Sequence, residues 1–463
     1  MMKYVDLFSG CGGLSLGIER AGGDLLLAVE KSDMAARTLY HNFFEPIPEL
    51  SDWHAYLERP LELQAKHGVA VSELGRILEN DVIMDALAAE NLDLVVGGPP
   101  CQGFSLAGRR NPDDVRNKLP WEYLAFVERT SPKAVVIENV VGMSHRFSTS
   151  EDSAFDQLQQ ALRETGQGYE VQGVAVNAVH YGAPQNRPRL MIIGLRSDIA
   201  EAKGVFSSGA VWRSSFTDEM TESSVPPLAP RPVVTREEAP TIADAIADLQ
   251  SVLPEVHSAR TEEFRNQVRT KETWGLPPAP PAQVGPGNQN PRRHAPRTQE
   301  RFRLYQWMRD NSIPPRLLTD MARKMATDDA VLELMKNVRF PAVALDGTTI
   351  ADDKHQIVNV MRRLATKKHS QKALNWNSQA PTVVTLPDDY VHPSVPRIFT
   401  VRELARFQGF PDDFEFQGKE TTGSLRRRVE VPQYSQVGNA VSPFLAHAVG
   451  RMIAEVLDIG PAD

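Results

Sequence analysis

Cysteine is scarce in this chain: 463 residues include two, Cys11 and Cys101. Two thiols cannot build a disulfide framework or a cysteine-rich zinc site, and they fit a reducing cytosol. Long apolar runs are also missing. No stretch approaches the roughly 20 residues that span a bilayer. Met1-Met2-Lys3-Tyr4 runs directly into a strand pattern rather than a signal peptide, so a cytoplasmic protein with no membrane contact is expected. There is no excess of positive charge either: 51 Lys and Arg face 59 Asp and Glu, for a net charge of −8. That argues against a uniformly basic nucleic-acid binder and leaves room for a basic cleft on an acidic body. No internal repeat is visible. What is present is 41% hydrophobic residues on a chain too long for one ordinary domain, so two domains are expected.

The most informative stretch begins with the apolar run Leu94-Val95-Val96, which reads as a buried strand. Gly97-Gly98-Pro99-Pro100 stops it in a stiff turn and presents Cys101 at the strand's carboxyl end. Ligands of open α/β sheets bind at that end. A thiolate there suits a nucleophile, the alternative being a small buried residue that fills a turn. Residues 3–8 read as the first strand, Ser9-Gly10-Cys11-Gly12-Gly13 as a glycine-rich turn, and Leu14 as the opening of a helix. Strand, glycine turn and helix form a nucleotide-binding arrangement, and a helix start offers N–H groups to a carboxylate. No Gly-Lys-Ser/Thr follows, which excludes a phosphate-binding loop of the Walker type. Cys11 reads as a small turn residue.

The second strand, residues 25–30, ends in Glu30, an acid placed for ribose hydroxyls or simply solvated. Ser32 is the expected N-cap of a helix running to about residue 42. Residues 44–80 are polar and read as an insertion, after which Asp81 suits contact with a base amino group. Residues 108–118 read as a polar loop of the kind that closes over substrate. Residues 133–137 form another strand with Glu138 at its end, so Cys101 and Glu138 share one edge of a parallel sheet. A buried carboxyl there stays protonated and acts as an acid, or is structural. Strands are expected over 169–179 and 190–195, with Arg187 and Arg189 entering the second. Such a pair holds phosphate or a carbonyl oxygen, or lies on the surface.

Beyond Glu201 the character changes. Residues 226–240 and 275–296 are proline-rich and read as linkers flanking a helix over 241–253. Arg292, Arg293, His294, Arg297, Arg301, Arg303 and Arg309 then alternate with Tyr305 and Trp307. A second basic group holds Arg362, Arg363, Lys367, Lys368 and His369. Basic residues with interleaved aromatics suit a phosphate backbone and its bases, or a solvated helix face. Thr400 and Glu403 make a capping box for a helix ending near Pro411. Residues 436–443 lead into a last helix over 444–457.

Together these motifs resemble the DNA cytosine-5 methyltransferase family, bacterial or phage type. The matching pieces run from Asp6-Leu7-Phe8-Ser9-Gly10-Cys11-Gly12-Gly13 through Glu30, Asp81, Pro99-Pro100-Cys101-Gln102, Glu138-Asn139-Val140 and Gln185-Asn186-Arg187-Pro188-Arg189. They end with the 402–411 helix and Gly438-Asn439-Ala440-Val441-Ser442-Pro443. They stand in the family's order and cover residues 3–195 and 396–454. The long polar insertion before Asp81 departs from the pattern.

The resemblance implies a doubly wound, Rossmann-like α/β domain that uses S-adenosylmethionine. This catalytic domain spans 1–199, with an insertion at about 44–80. A smaller target recognition domain spans 200–396, and residues 397–463 complete the catalytic domain. It implies that Cys101 attacks cytosine C6, Glu138 protonates N3, Arg189 holds O2 and Arg187 supports the loop or a phosphate. Implied cofactor contacts are Phe8, Ser9, Gly10, Cys11, Gly12, Gly13, Leu14, Glu30, Asp81, Val82, Pro100, Asn439 and Val441, with no metal. The implied partner is duplex DNA bound by a monomer that flips its target base, with a cognate restriction endonuclease as a possible companion. The family's RNA branch carries a short recognition region, and the long one here favours DNA. Intact Cys101 and Glu138 argue against a catalytically silent DNA-binding protein.

Overall fold

The computed structural model describes all residues except 47–48, 101–117, 141–152, 250–257, 277–285, 423–429 and 461–463. The short apolar runs become strands because they are buried on both faces. Val5, Val95 and Val135 feed one core, while Tyr4, Val96 and Val136 feed the other. The strands are β1 (Met2–Leu7), β2 (Gly23–Glu30), β3 (Val69–Val71), β4 (Leu94–Gly97), β5 (Ala134–Asn139), β6 (Tyr169–Asn177), β7 (Pro188–Arg196) and β8 (Trp212–Arg213). They form one sheet in the order β3-β2-β1-β4-β5-β7-β6-β8. The first five are parallel, and the order reverses at β1, which opens a crevice beyond the carboxyl ends of β1 and β4. This is the doubly wound α/β fold expected from the sequence.

β7 runs antiparallel to both β5 and β6. Its amino end therefore meets the carboxyl end of β5, with Asn139 opposite Leu190 and Glu138 opposite Met191. That reversal brings Arg189 to the edge where Glu138 lies.

Three expectations need correction. Residues 44–80 are not only an insertion: they contain β3, which pairs with β2 inside the main sheet. Trp53 and Tyr56 stack at 5.1 Å and are buried beside Tyr40. Residues 226–240 are not a free linker. Leu228 and Ala229 are buried in the core on the Tyr4 face, and Pro230 O accepts the Tyr181 hydroxyl at 3.0 Å. Proline content marks a lack of N–H donors, which serves a packed irregular segment as well as a spacer. Of the helix expected over 241–253, the described part is the short Ile242–Ile246, capped by Thr241 and Asp244 and followed by a 3-10 turn, Ala247–Leu249, while 250–253 lie outside the described residues.

The expected division at residue 200 does not coincide with a division of the core. Trp212, Phe264, Trp274, Ala380 and Val383 all join the core on the Tyr4 face. A separate core gathers Phe302, Leu318, Met361 and Ile398.

The helix Val401–Gln408 ties these parts together, and all eight of its residues are buried. Its charges are therefore obliged to find partners. Arg402 donates to the carbonyls of Gly287, Pro411 and Phe414 at 2.9, 2.6 and 2.6 Å. Arg406 binds Asp412 and Asp248, and Glu403 accepts two bonds of 2.7 Å from Arg397. Burial, the largest single effect, would raise the Glu403 carboxyl, but the hydrogen bonds and charge of Arg397, together with His392 and the Thr400 N–H, outweigh it and hold the group below its ordinary value.

Replacing Arg397 with Met should strand that carboxylate and cost about 3–5 kcal/mol. The intact pair contributes stability above the unfolded carboxyl pKa that is lost only as pH falls through the lower folded value. In the variant burial raises Glu403 instead, so protonation stabilises the fold as pH falls. The gap in melting temperature between wild type and Arg397→Met should therefore narrow between about pH 7.5 and about pH 5.5. A constant gap would show that Glu403 does not carry the effect.

Candidate active site

The turn after β1 is held in conformations that few residues adopt. Phe8, Gly10 and Gly12 have φ of 59°, 57° and 91°. Strain in a phenylalanine at positive φ persists where surrounding structure enforces it, commonly at ligand loops. The helix α1 (Gly13–Arg20) follows, with Gly12 at its N-cap, no side-chain cap and no acid in its first turn. Its first N–H groups are thus left to an outside anion. Glu30, at the end of β2, holds the turn from below. Its Oε2 accepts the Gly10 N–H at 2.9 Å and its Oε1 the Ser32 N–H at 2.7 Å. Burial raises the Glu30 carboxyl despite these donors.

Ser9 is fixed by its N–H on Val29 O at 3.2 Å, and the Leu14 side chain is core. Cys11 is buried, with Sγ 3.7 Å from Gln436 O, and burial pushes its thiol up to about 12. It sits buried within the turn.

The end of the chain closes over this turn. A Cβ on Gly13 would lie 2.5 Å from Val441 O and 3.0 Å from the Phe410 ring, so only glycine lets the segments meet. Residues 433–439 are themselves a helix, Gln433–Asn439, rather than a lead-in to the last one. Asn439 is exposed at its end and Val441 is buried.

Cys101 and the loop after it lie outside the described residues, but the stem that leads to Cys101 does not. Pro99 O accepts the Asn139 Nδ2 at 3.3 Å, and Pro100 is exposed. A Cβ on Gly98 would sit 3.0 Å from Glu138 Oε2. Glu138 Oε1 is in turn 2.6 Å from Arg189 Nε, an ion pair whose N–H is not aligned for a hydrogen bond. Their side chains are 12% and 9% exposed. The structure thus brings the Cys101 stem, Glu138 and Arg189 into contact at one edge.

Arg187 does not join them, which corrects its assignment as catalytic. It is 1% exposed and donates to the carbonyls of Val383, Gly438 and Ala440 at 3.0, 2.8 and 2.7 Å. A guanidinium enclosed in this way positions backbone and cannot meet a phosphate; burial holds its pKa well below the usual arginine value.

Asp81 and Val82 are also misplaced by the sequence reading. Asp81 opens the helix Asp81–Ala89, is largely exposed, and pairs with Arg129 at 3.1 Å, while Val82 is exposed. Arg129 lies near the end of the helix Leu119–Thr130, which leads to the amino end of β5. Gly75, just past β3, instead neighbours Glu122 at that helix's start. About 10 Å of helix separates the two levels, and Asp81 stands on the one away from the site. The residue at the carboxyl end of β3 is Ser72, whose N–H donates to Glu30 O at 3.1 Å. Its buried hydroxyl has no partner among the described residues. The run Val69-Ala70-Val71 after Gly68 was the available signal for it.

The basic clusters divide as well. Tyr305 and Trp307 are 1% and 5% exposed and belong to the separate core, so they are not stacking platforms. Arg363 pairs with Glu300, Arg303 with Asp346 and Lys368 with Asp388. Arg293, Lys367 and His369 are exposed.

Comparison with known proteins bears on this arrangement. Residues 2–455 match the family model of C-5 cytosine-specific DNA methylases. The chain is 28% identical to the type II methyltransferase M.DdeI of Desulfomicrobium norvegicum, over 98% of its own length and 88% of the relative's. It is 30% identical to the type II methyltransferase M.XorII of Xanthomonas oryzae, over 98% and 84% of the two lengths. A crystal structure of a candidate DNA modification methyltransferase encoded within an E. coli prophage superposes with a TM-score of 0.52. It is 21% identical, with 99% of this chain and 100% of that one covered, and it shares the fold.

Two glycine substitutions should separate space from strain. Gly13→Ala drives a methyl group into Val441 and should cost about 1–3 kcal/mol. Gly10→Ala meets nothing within 4 Å and should cost only about 1 kcal/mol for its left-handed backbone. Thermal unfolding of both variants measures this; equal losses would mean that the end of the chain is not seated on Gly13.

Proposed function

The chain belongs to the C-5 cytosine-specific DNA methylase family, and we propose that it attacks its base through Cys101 and holds that base with Glu138 and Arg189. It is a DNA cytosine-5 methyltransferase. The observation that carries the residue assignment is the contact of Glu138 with both the Cys101 stem and Arg189.

The residues present fit S-adenosylmethionine, the methyl donor expected of the family. The uncapped start of α1 suits its carboxylate, and the glycine turn leaves room above Glu30. Glu30 retains lone pairs for ribose hydroxyls beside its two N–H donors. Phe8 would lie against the adenine, and Ser72 replaces Asp81 at the strand end next to Glu30. When bound, the cofactor supplies an electrophilic methyl group to C5.

Cytosine C5 is a weak nucleophile, and the protein's task is to make it a strong one. Addition of the Cys101 thiolate to C6 forms a C–S bond and moves an electron pair toward C5 and N3. Glu138, which takes up a proton from solvent as the base displaces Arg189 from its carboxylate, passes that proton to N3, and the Arg189 guanidinium faces O2. After methylation, loss of the C5 proton to a base and departure of the thiolate restore the C5–C6 double bond, and N3 returns its proton to Glu138. The base must leave the helical stack to reach this edge. The region built on the separate core would read the sequence, with Arg293, Lys367 and His369 facing phosphates. The type II names of the relatives favour a paired restriction endonuclease; a cytoplasmic monomer on DNA is our reading of the partner and the place of action.

Duplex DNA carrying 5-fluorocytosine at the target should trap the enzyme, because fluorine cannot depart as a cation. The adduct should survive denaturing electrophoresis and require S-adenosylmethionine. Cys101→Ala should abolish it, and Glu138→Gln should slow it by about 10²-fold or more. Persistence of the adduct in Cys101→Ala would overturn the nucleophile, and an adduct on fluorinated RNA alone would redirect the substrate.

A further inference from the structure

A cavity of about 990 Å³ opens at the far end of α1 from the glycine turn and shares no residue with the site described above. Its size is that of a small-molecule site. Arg20, the last residue of α1, lines one side, and His447 and Arg451 line another. These two stand on the helix Pro443–Val456, which packs closely along α1: a Cβ on Gly17 would lie 2.4 Å from Pro443 O, and one on Gly450 2.7 Å from Ala21 Cβ. Segments 226–240 and 259–267 complete the enclosure.

Four guanidiniums and three carboxylates line the cavity, and Glu263 acts on Arg20 through its charge without forming an ion pair with it. Each of the three carboxylates is engaged: Glu238 accepts from Thr235 at 2.9 and 2.8 Å, Glu263 from Gln267 at 2.5 Å, and Glu455 pairs with Arg451 at 3.2 Å. Among the guanidiniums, Arg260 pairs with Asp244 at 2.8 Å and Arg451 with Glu455. Arg20 and Arg231 have neither an ion pair nor a hydrogen bond among the described residues. Arg20 lies over the rings of Trp274 and Phe444, at 4.4 and 5.7 Å from their centroids. Those contacts fix the plane of the guanidinium and leave its N–H donors unused. Burial pushes His447 down to about 3, so it faces the cavity as a neutral imidazole. Tyr181, Val234, Phe264 and Met452 supply apolar wall.

Unpaired cations over an aromatic and aliphatic wall select a ligand with both features. We propose that this cavity binds a small organic anion with an aromatic body, its acid group on Arg20 and Arg231 and its ring among Phe264, Phe444 and Val234. The proposal rests on none of the catalytic assignments.

Anilinonaphthalene sulfonate is a probe of this chemistry, and phenylnaphthylamine is its uncharged match. Fluorescence titration of the full chain should show saturable binding of the sulfonate. Its affinity should fall about tenfold or more in Arg20→Met and several-fold in Arg231→Gln, the loss of a charge-assisted contact. The neutral amine should bind both variants as it binds wild type, while Val234→Trp, which fills the cavity, should weaken both probes. Should circular dichroism show that Arg20→Met does not fold, the exposed Arg231 decides the matter. Absence of saturable sulfonate binding, or equal affinity in wild type and the folded arginine variants, would overturn the proposal.

Discussion

The arrangement of the site depends on one buried cation. An arginine keeps its charge in almost any setting, so enclosing Arg187 obliges the chain to bring oxygen to its donors. The oxygens come from Val383, Gly438 and Ala440, on two segments remote in sequence from β7. β7 is fixed in the sheet by its pairing with β5 and β6, so the three carbonyls inherit that fixed position. Gln185 and Gln408 extend the joint: Gln185 donates to Phe407 O and to Gln408 Oε1, and Gln408 donates to Val437 O at 2.7 Å. The seating of Val441 on Gly13 follows from this joint, and with it the closure of the glycine turn by the far end of the chain.

Such a joint adds little net stability per bond and is costly to break. Each hydrogen bond contributes about 1 kcal/mol beyond what water would give, whereas an orphaned buried charge costs several. Its effect is to exclude alternative packings. The same logic runs through the helix Val401–Gln408, where Arg402, Glu403 and Arg406 are all enclosed and all partnered. This helix stands between the sheet and the separate core around Phe302 and Ile398. Chemistry can be held rigid at the strand ends while a second body is carried beside it.

Much of this was legible in the sequence because strand, turn and helix signals are local. The runs ending at Leu7, Glu30, Gly97 and Glu138 became strands of one sheet, and the Thr400–Glu403 capping box formed. What failed depended on partners remote in the chain. β3 is three residues long and is defined by β2, so it was lost in a polar stretch and Asp81, beyond it, was taken for the contact to a base amino group. Arg187 and Arg189 are alike in sequence, and only the antiparallel register of β7 turns one toward Glu138 while the other is buried against carbonyls. Tyr305 and Trp307 fit a stacking surface as well as a core, because aromatic residues alone do not declare which face is solvated. Proline content likewise could not tell residues 226–240 from a spacer, since the packing of Leu228 lies in its distant neighbours.

The central claim is that the edge formed by the Cys101 stem, Glu138 and Arg189 serves methylation of cytosine at C5 and at no other atom. Incubating duplex DNA with the protein and S-adenosylmethionine carrying a labelled methyl group, then digesting the DNA to nucleosides, tests it most directly. The account predicts that the label co-elutes with 5-methylcytosine, and that Arg189→Met reduces the yield without moving the label. Label in N4-methylcytosine or N6-methyladenine would contradict it.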